Sequence, residues 1–247
     1  MDYIIKNGMG SKNTALNTEK SISLALHNPE LLGVSLNLYM TKDHRIVISD
    51  TNMVDGSPNY KIKDYTLEEL RVHNVGTRVN REEIMTLENV LSDFKDSDKV
   101  FVFTMNDEGG DNKIFVETVA NIVNNYPNSN FYIKSPSAEI VLYLRDLVRF
   151  ASVGAVLVNQ DTYFLKQDLD FYCLAGPSLC PFWSKQKSEE GVLLMVESID
   201  DEEDAVSTIH EVQSFLNKMY MIIDDSNAFK TIYPVCQKEL ETLKEVD

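Results

Sequence analysis

Two lysines lie where a fold of alternating strands and helices would collect reactive groups. Lys6 lies at the end of an apolar run over residues 3–7, and Lys134 ends another over residues 131–134. Ammonium groups that converge at the ends of neighbouring strands could hold an anion such as a phosphate group. Alternatively, each lysine pairs with a neighbouring carboxylate such as Glu197 or Asp50. The sequence leaves both interpretations open.

Other groups that could transfer protons or bind metal ions show no specific spacing. The histidines fall in helix-like stretches, at a helix end or in a turn, which favours surface or packing roles for His27, His44, His73 and His210. Asp107 and Glu108 directly follow a strand-like run and could bind a cation. The loop NDEGG around them is nevertheless typical of a solvated turn.

Composition indicates a soluble, acidic protein of a reducing compartment. The 247 residues carry a net charge of −16, which disfavours binding to nucleic acid or to an anionic membrane surface. No apolar run approaches the roughly 20 residues of a membrane span, and the start MDYIIKNGMG does not resemble a signal peptide. The three cysteines form neither a disulfide framework nor a zinc motif. We therefore expect a cytoplasmic location.

Short strand-like runs alternate with longer helical patterns along the whole chain. The runs cover residues 3–7, 33–40, 45–49, 100–105, 131–134, 155–158, 171–174, 192–197 and 220–223. Only four residues separate the second run from the third, so the third is predicted to return as a hairpin strand. Eight parallel strands remain, which predicts a single (β/α)8 TIM barrel over residues 1–247 with a polar excursion around residues 51–80. An open, doubly wound α/β sheet is the alternative.

The sequence contains residues that are typical of the first turns of helices. Thr66 and Glu69 form a predicted capping box, and Thr86 opens a second short helix. Pro234 is predicted in the first turn of the last helix. Phe182 and Trp183 are predicted to lie in a loop that covers the barrel or faces a partner subunit.

The ordered motifs of this chain resemble the glycerophosphodiester phosphodiesterase family. The family's His-Arg-Gly and Glu-Asn-Thr segments are matched by KNG at residues 6–8 and LNT at residues 16–18. Its Glu-x-Asp strand, Thr-Lys-Asp-Gly turn and His-Asp strand end are matched by SLN at 35–37, TKDH at 41–44 and SD at 49–50. The pattern continues to ESIDDEED at residues 197–204 and MIIDD at 221–225. The resemblance implies a TIM barrel and a place in lipid metabolism.

The departures from the family fall on its chemistry. The resemblance implies two histidines for proton transfer, an arginine for the phosphate, and carboxylates that hold Mg²⁺ or Ca²⁺. The matched pocket positions in this chain are Lys6, Asn7, Ser35, Asn37, Ser49, Phe103, Met105 and Glu197. Neutral Ser35 and Asn37 lack the charge that binds a hard cation, and serine cannot transfer protons near neutral pH. We therefore predict no catalytic residue and no metal cofactor at these positions.

The sequence supports three functional hypotheses. The leading one is a non-hydrolytic pseudoenzyme with a binding or regulatory role, whose ligand is a phosphorylated small molecule or a protein partner. The alternative is a diverged phosphodiesterase with a relocated metal site that recruits Asp107, Glu108 or His44. The third is a structural subunit that assembles as an oligomer with an active relative.

Overall fold

Eight parallel strands close into a barrel in this computed structural model, which describes residues 1–54, 57–107, 111–127, 130–157, 167–175, 181–213, 219–224 and 226–246. The strands are β1 (Asp2–Lys6), β2 (Gly33–Met40), β3 (Ile46–Ile48), β4 (Val100–Met105), β5 (Asn130–Ser135), β6 (Ala151–Leu157), β7 (Phe171–Ala175), β8 (Leu193–Ile199) and β9 (Met219–Ile223). β1 pairs with both β9 and β2, which closes the ring. β3 pairs antiparallel with β2 outside it. The predicted (β/α)8 barrel with a hairpin strand is confirmed, and the open sheet is excluded.

Helices follow the barrel strands and shield their outer faces. They are α1 (Glu19–Leu26), α2 (Leu67–Leu70), α3 (Leu87–Asp93), α4 (Asn112–Val123), α5 (Ala138–Leu147), α6 (Pro181–Glu189), α7 (Glu202–Val212) and α8 (Ser226–Val246). The predicted capping box forms at α2, where the Thr66 hydroxyl accepts from the Glu69 N–H group. Thr86 caps α3 in the same way. These side chains satisfy N–H groups that a helix start leaves unpaired.

Strand alternation divides the core into two layers. Side chains such as Ile4, Val102 and Phe171 fill the barrel interior. Their strand neighbours, including Ile5 and Phe103, pack outward against the helices. Because successive side chains point to opposite faces, polar side chains in the interior phase must emerge above this filling at the carboxyl ends of the strands. This end of the barrel is hereafter called the mouth.

The segment around residues 51–80 is polar in composition, but several of its apolar side chains are buried together. It contains a 3-10 turn at Ile62–Asp64 and helix α2. Ile62 and Leu70 pack with Tyr39 and Val47 in a small buried cluster beside the β2–β3 hairpin. The apolar residues are too widely spaced in the sequence to have revealed this cluster.

Two local predictions are wrong. Pro234 lies inside α8, which begins eight residues earlier at Ser226, because Phe229 and Ile232 continue the buried face of the helix toward its start. Phe182 and Trp183 lie in α6 rather than in a loop. The Trp183 ring packs edge-on against Tyr172, with 5.1 Å between ring centroids, and this contact orients the start of the helix.

Across the residues that the structure describes, no helix has the length and apolar character needed to cross a membrane.

Candidate functional site: the barrel mouth

The strand register brings several predicted site residues to the carboxyl ends of neighbouring strands. Lys6 is aligned with Ser35 on the next strand. Asn37 is aligned with Thr104, which is aligned in turn with Lys134. Glu197 on β8 is aligned with Ala175 on β7, and its carboxylate reaches the Lys134 ammonium group. The sequence had placed these residues at strand ends, and the register makes them neighbours.

Lys134 forms a buried ion pair at the mouth. Its ammonium group donates to a Glu197 carboxylate oxygen and also lies 3.2 Å from the Cys173 sulfur. Lys134 and Cys173 are fully buried, whereas 22% of the Glu197 side chain remains exposed. The alternative interpretation, pairing with Glu197, is therefore the one the structure shows, and Lys134 as arranged presents no surface to an anion.

The pKa values of this trio follow from burial and from the ion pair. Burial by itself would lower the pKa of Lys134, but the contacts with Cys173 and Glu197 outweigh it and raise that pKa. Burial would raise the pKa of Glu197, and the Lys134 charge reverses this effect and lowers it. Burial raises the pKa of the Cys173 thiol. Near neutral pH the trio is an ammonium, a carboxylate and a neutral thiol.

Lys6 pairs with a carboxylate that the sequence did not single out for it. Its Nζ lies 3.7 Å from Asp224 Oδ1, directly after β9, rather than against Asp50. Burial, together with a hydrogen bond to the Asp200 carboxyl group, raises the pKa of Asp224 to about 6 despite the nearby Lys6. In mildly acidic solution Asp224 therefore holds a proton, which it can donate to the Asp200 carboxylate. The neighbouring Asp201 caps α7.

The raised pKa of Asp224 predicts how stability depends on pH. The folded protein holds the Asp224 proton more tightly than the unfolded chain, so stability is expected to fall as pH rises from about 4 to about 6. The contribution is on the order of 1 kcal/mol or less, because solvent screens a side chain that is 38% exposed. Asp224→Asn should flatten this part of the pH profile of the melting temperature. A profile that stays unchanged in the variant would contradict the assignment.

Asn7 occupies a constrained position beside Lys6. Its φ of 62° places it in the left-handed region, and its N–H group donates to the Ser35 carbonyl oxygen at 2.8 Å. Its side-chain Nδ2 donates to Asp50 Oδ1 at 2.7 Å. Within the described chain its Oδ1 is buried and has no hydrogen-bond partner. Such an acceptor is rare in folded proteins and marks a place that a ligand or ordered water could complete.

The remaining matched positions on β2 and β3 surround Asp50. Asn37 Nδ2 donates to the Asp50 carbonyl oxygen at 3.2 Å, and the Ser49 N–H group donates to the Asn37 carbonyl oxygen at 3.3 Å. Ser35 is 2% exposed and lies below them. The hairpin strand thus brings Asp50 to the mouth and holds it there.

The prediction that Phe103 and Met105 line the pocket is corrected by the structure. Both side chains are fully buried in the layer between the barrel and its helices, so they face away from the mouth. Val102 and Thr104 hold the interior phase of β4 instead. The run VFVFTM is apolar in both phases apart from Thr104, so its alternation could not show which face is inside.

The other candidate groups do not join this set. His27 follows α1, His44 lies in the hairpin turn, and His210 pairs with Glu239 on α8 at 2.9 Å. Asp107 accepts a hydrogen bond from Asn112 Nδ2 at 3.0 Å, and the same amide reaches Glu139. Glu108 and Asp225 lie outside the described residues. In the parts of the chain that are described, no three His, Cys, Asp or Glu side chains cluster closely enough to hold a metal ion.

Solved structures share this architecture over almost the entire chain. A glycerophosphodiester phosphodiesterase from Parabacteroides distasonis is 17% identical with a TM-score of 0.79, and the alignment covers 98% of both chains. A phosphodiesterase from Oleispira antarctica, solved with its product sn-glycerol-3-phosphate, is 13% identical with a TM-score of 0.76 over 98% of this chain and 97% of that one. The fold is that of the glycerophosphodiester phosphodiesterases. The Thermotoga maritima enzyme, 16% identical with a TM-score of 0.67 over 99% and 97% of the two chains, agrees.

At these identities the likeness establishes the fold, and the activity depends on the residues of this chain. No protein-family model matches the sequence. No curated protein matches it either. Lys6 ends β1 and Ser49 directly follows β3.

Proposed function

We propose that this protein is a diverged glycerophosphodiester phosphodiesterase relative that binds a ligand at the barrel mouth without hydrolysing it. The observation that carries the proposal is the internal pairing of the mouth. Each of its two lysines is held by a carboxylate, Lys134 by Glu197 and Lys6 by Asp224. Lys6 stands at the position that the resemblance matches to a catalytic histidine, where hydrolysis would need a group free to act on a substrate.

The residues at the mouth do not fit the divalent cation that the fold family implies. Mg²⁺ and Ca²⁺ take several oxygen ligands, and carboxylates supply most of their binding energy. Ser35 and Asn37 are neutral, and the amide of Asn37 is already engaged with Asp50. The charge of Glu197 is balanced by the ammonium group of Lys134. No step of a metal-dependent reaction can be built from this set.

Proton transfer is equally unsupported at the matched positions. Ser49 has no pKa near neutrality, and the Lys6 ammonium group is paired with the Asp224 carboxylate. We also propose a cytoplasmic location. Cys173 and Cys236 are buried free thiols, and a reducing cytoplasm would keep them in that state.

The proposal predicts no metal-dependent turnover. Hydrolysis of glycerophosphocholine and of a chromogenic phosphodiester is measured with Mg²⁺, with Ca²⁺ and with chelator. We expect rates equal to the buffer blank in every case, from protein whose cooperative melting shows that it is folded. Turnover that follows the protein through purification and disappears in chelator would overturn the proposal.

A second candidate is a diverged phosphodiesterase, and the Asp200–Asp224 pair favours it. A carboxyl group whose pKa is about 6 can donate or accept a proton near neutral pH. If turnover is found, Asp224→Asn should abolish it, whereas an enzyme that uses Asp107 would be unaffected by that substitution.

A further inference from the structure

Several of the donors that the described residues bring to the mouth already have carboxylate or carbonyl partners. Lys134 donates to Glu197, and Lys6 lies within ion-pair distance of Asp224. The side-chain amide N–H groups of Asn7 and Asn37 both donate to Asp50, one to its carboxylate and one to its carbonyl oxygen. An anionic ligand, which offers only acceptors, would compete with Asp50, Glu197 and Asp224 for these donors.

Acceptors, in contrast, remain unsatisfied. Asn7 is 3% exposed and Asn17 is 8% exposed, and the Oδ1 atom of each has no partner in the described chain. The two residues are linked, because the Asn17 N–H group donates to the Asn7 carbonyl oxygen at 2.8 Å. A buried acceptor without a donor is unfavourable, and a ligand N–H group would remove this defect.

The charges at the mouth also favour a cationic ligand. Among the described residues of the mouth, two lysines face four carboxylates, which are Asp50, Glu197, Asp200 and Asp224. After both ion pairs are formed, Asp50 and Asp200 remain as exposed negative groups. An acidic run continues from Asp200 through residues 201–204 at the start of α7. The field at this side of the mouth therefore attracts cations and repels phosphate.

We propose that the mouth binds an organic ammonium ligand, with Asp50, Asp200 and Asp224 as its acceptors and the Asn7 amide oxygen beside them. This inference rests on the proposed non-hydrolytic function and names its ligand class. Ammonium N–H groups supply both the charge and the donors that the mouth lacks. A metal ion fits less well, because the described chain offers no cluster of three metal-ligating side chains.

Binding should weaken in acid. The groups that face Asp224 are Asp200 and Glu197 on the β8 side and Lys6 on β1. When Asp224 is protonated, its proton occupies the place of a ligand N–H group and removes one negative charge. Affinity is therefore expected to be higher at about pH 7.5 than at about pH 5.

Titration calorimetry with spermidine tests the proposal on the full chain. We expect saturable binding to the unmodified protein and at least about tenfold weaker binding to Asp200→Asn/Asp224→Asn. Tetramethylammonium at equal ionic strength carries charge but no N–H donors and should bind much more weakly. Inorganic phosphate and glycerol 3-phosphate should not bind measurably.

A matched control separates the site from the overall charge of −16. Glu30→Gln/Asp96→Asn removes two exposed carboxylates at the opposite end of the barrel and should bind spermidine as the unmodified protein does. Equal binding by all three proteins, no binding by any, or tighter binding of phosphate or Ca²⁺ would each overturn the inference. The hydrolysis assay remains separate, since an absence of turnover without spermidine binding would refute the ligand class alone.

Discussion

Replacing Glu197 with leucine is expected to lower the free energy of unfolding by about 3–5 kcal/mol, measured by denaturant unfolding at neutral pH. Lys134 is fully buried, and among the described residues its ammonium group would keep only the Cys173 sulfur as a polar partner. An ammonium group buried without a counter-charge has a lowered pKa. The variant therefore binds fewer protons folded than unfolded, and its stability should rise with increasing pH.

The reverse substitution provides an asymmetric control. Lys134→Met should cost less, because the Glu197 carboxylate keeps access to solvent and lies in the field of Lys6. Combining Lys134→Met with Glu197→Leu should recover most of the stability, because no uncompensated charge stays buried. If the double variant is as unstable as Glu197→Leu alone, packing rather than charge explains the loss.

The substitution Gly33→Ala is expected to lower the free energy of unfolding by about 3 kcal/mol or more. Overpacking a core usually costs about 1–3 kcal/mol, and the cost is larger here because the added methyl group would displace backbone atoms. An added Cβ would lie 1.9 Å from the Val100 carbonyl oxygen and 2.7 Å from its carbon. Both atoms belong to the backbone of β4, whose pairing with β2 begins at Gly33 and Val100. Neither strand can move without disturbing the closed ring.

Chemical denaturation of Gly33→Ala beside Glu30→Ala checks this expectation. Glu30 is exposed three residues earlier, and its replacement should change stability by no more than about 0.5 kcal/mol. A midpoint for Gly33→Ala that matches that of Glu30→Ala would show that the two strands separate more easily than their register indicates.

The strand runs and helix starts were predictable because each is a local pattern. Continuous apolar runs such as VFVFTM identify strands buried on both faces, and Thr66 with Glu69 identifies a helix start within four residues. The short turn before β3 was enough to separate the hairpin from the ring. The same local patterns failed at Pro234, where preference for a first turn was overridden by the buried face of α8.

The partners at the mouth were not predictable in the same way. Alternation could not decide whether Phe103 or Thr104 faced the interior of β4, because residues of both phases are apolar. The sequence contains several carboxylates that could pair with Lys6. Lys6 pairs with Asp224 because closure of the barrel places β1 beside β9.

The sequence by itself determined the barrel, the hairpin strand and the acidic composition, since each depends on composition or short spacing. Only the tertiary structure decided which charges meet. The ion pairs, and the contact with Asp200 that helps to raise the pKa of Asp224, depend on distances between residues that lie apart in the chain. Interaction energies of this kind change with ångströms of separation and with burial, and the closed ring of strands sets both.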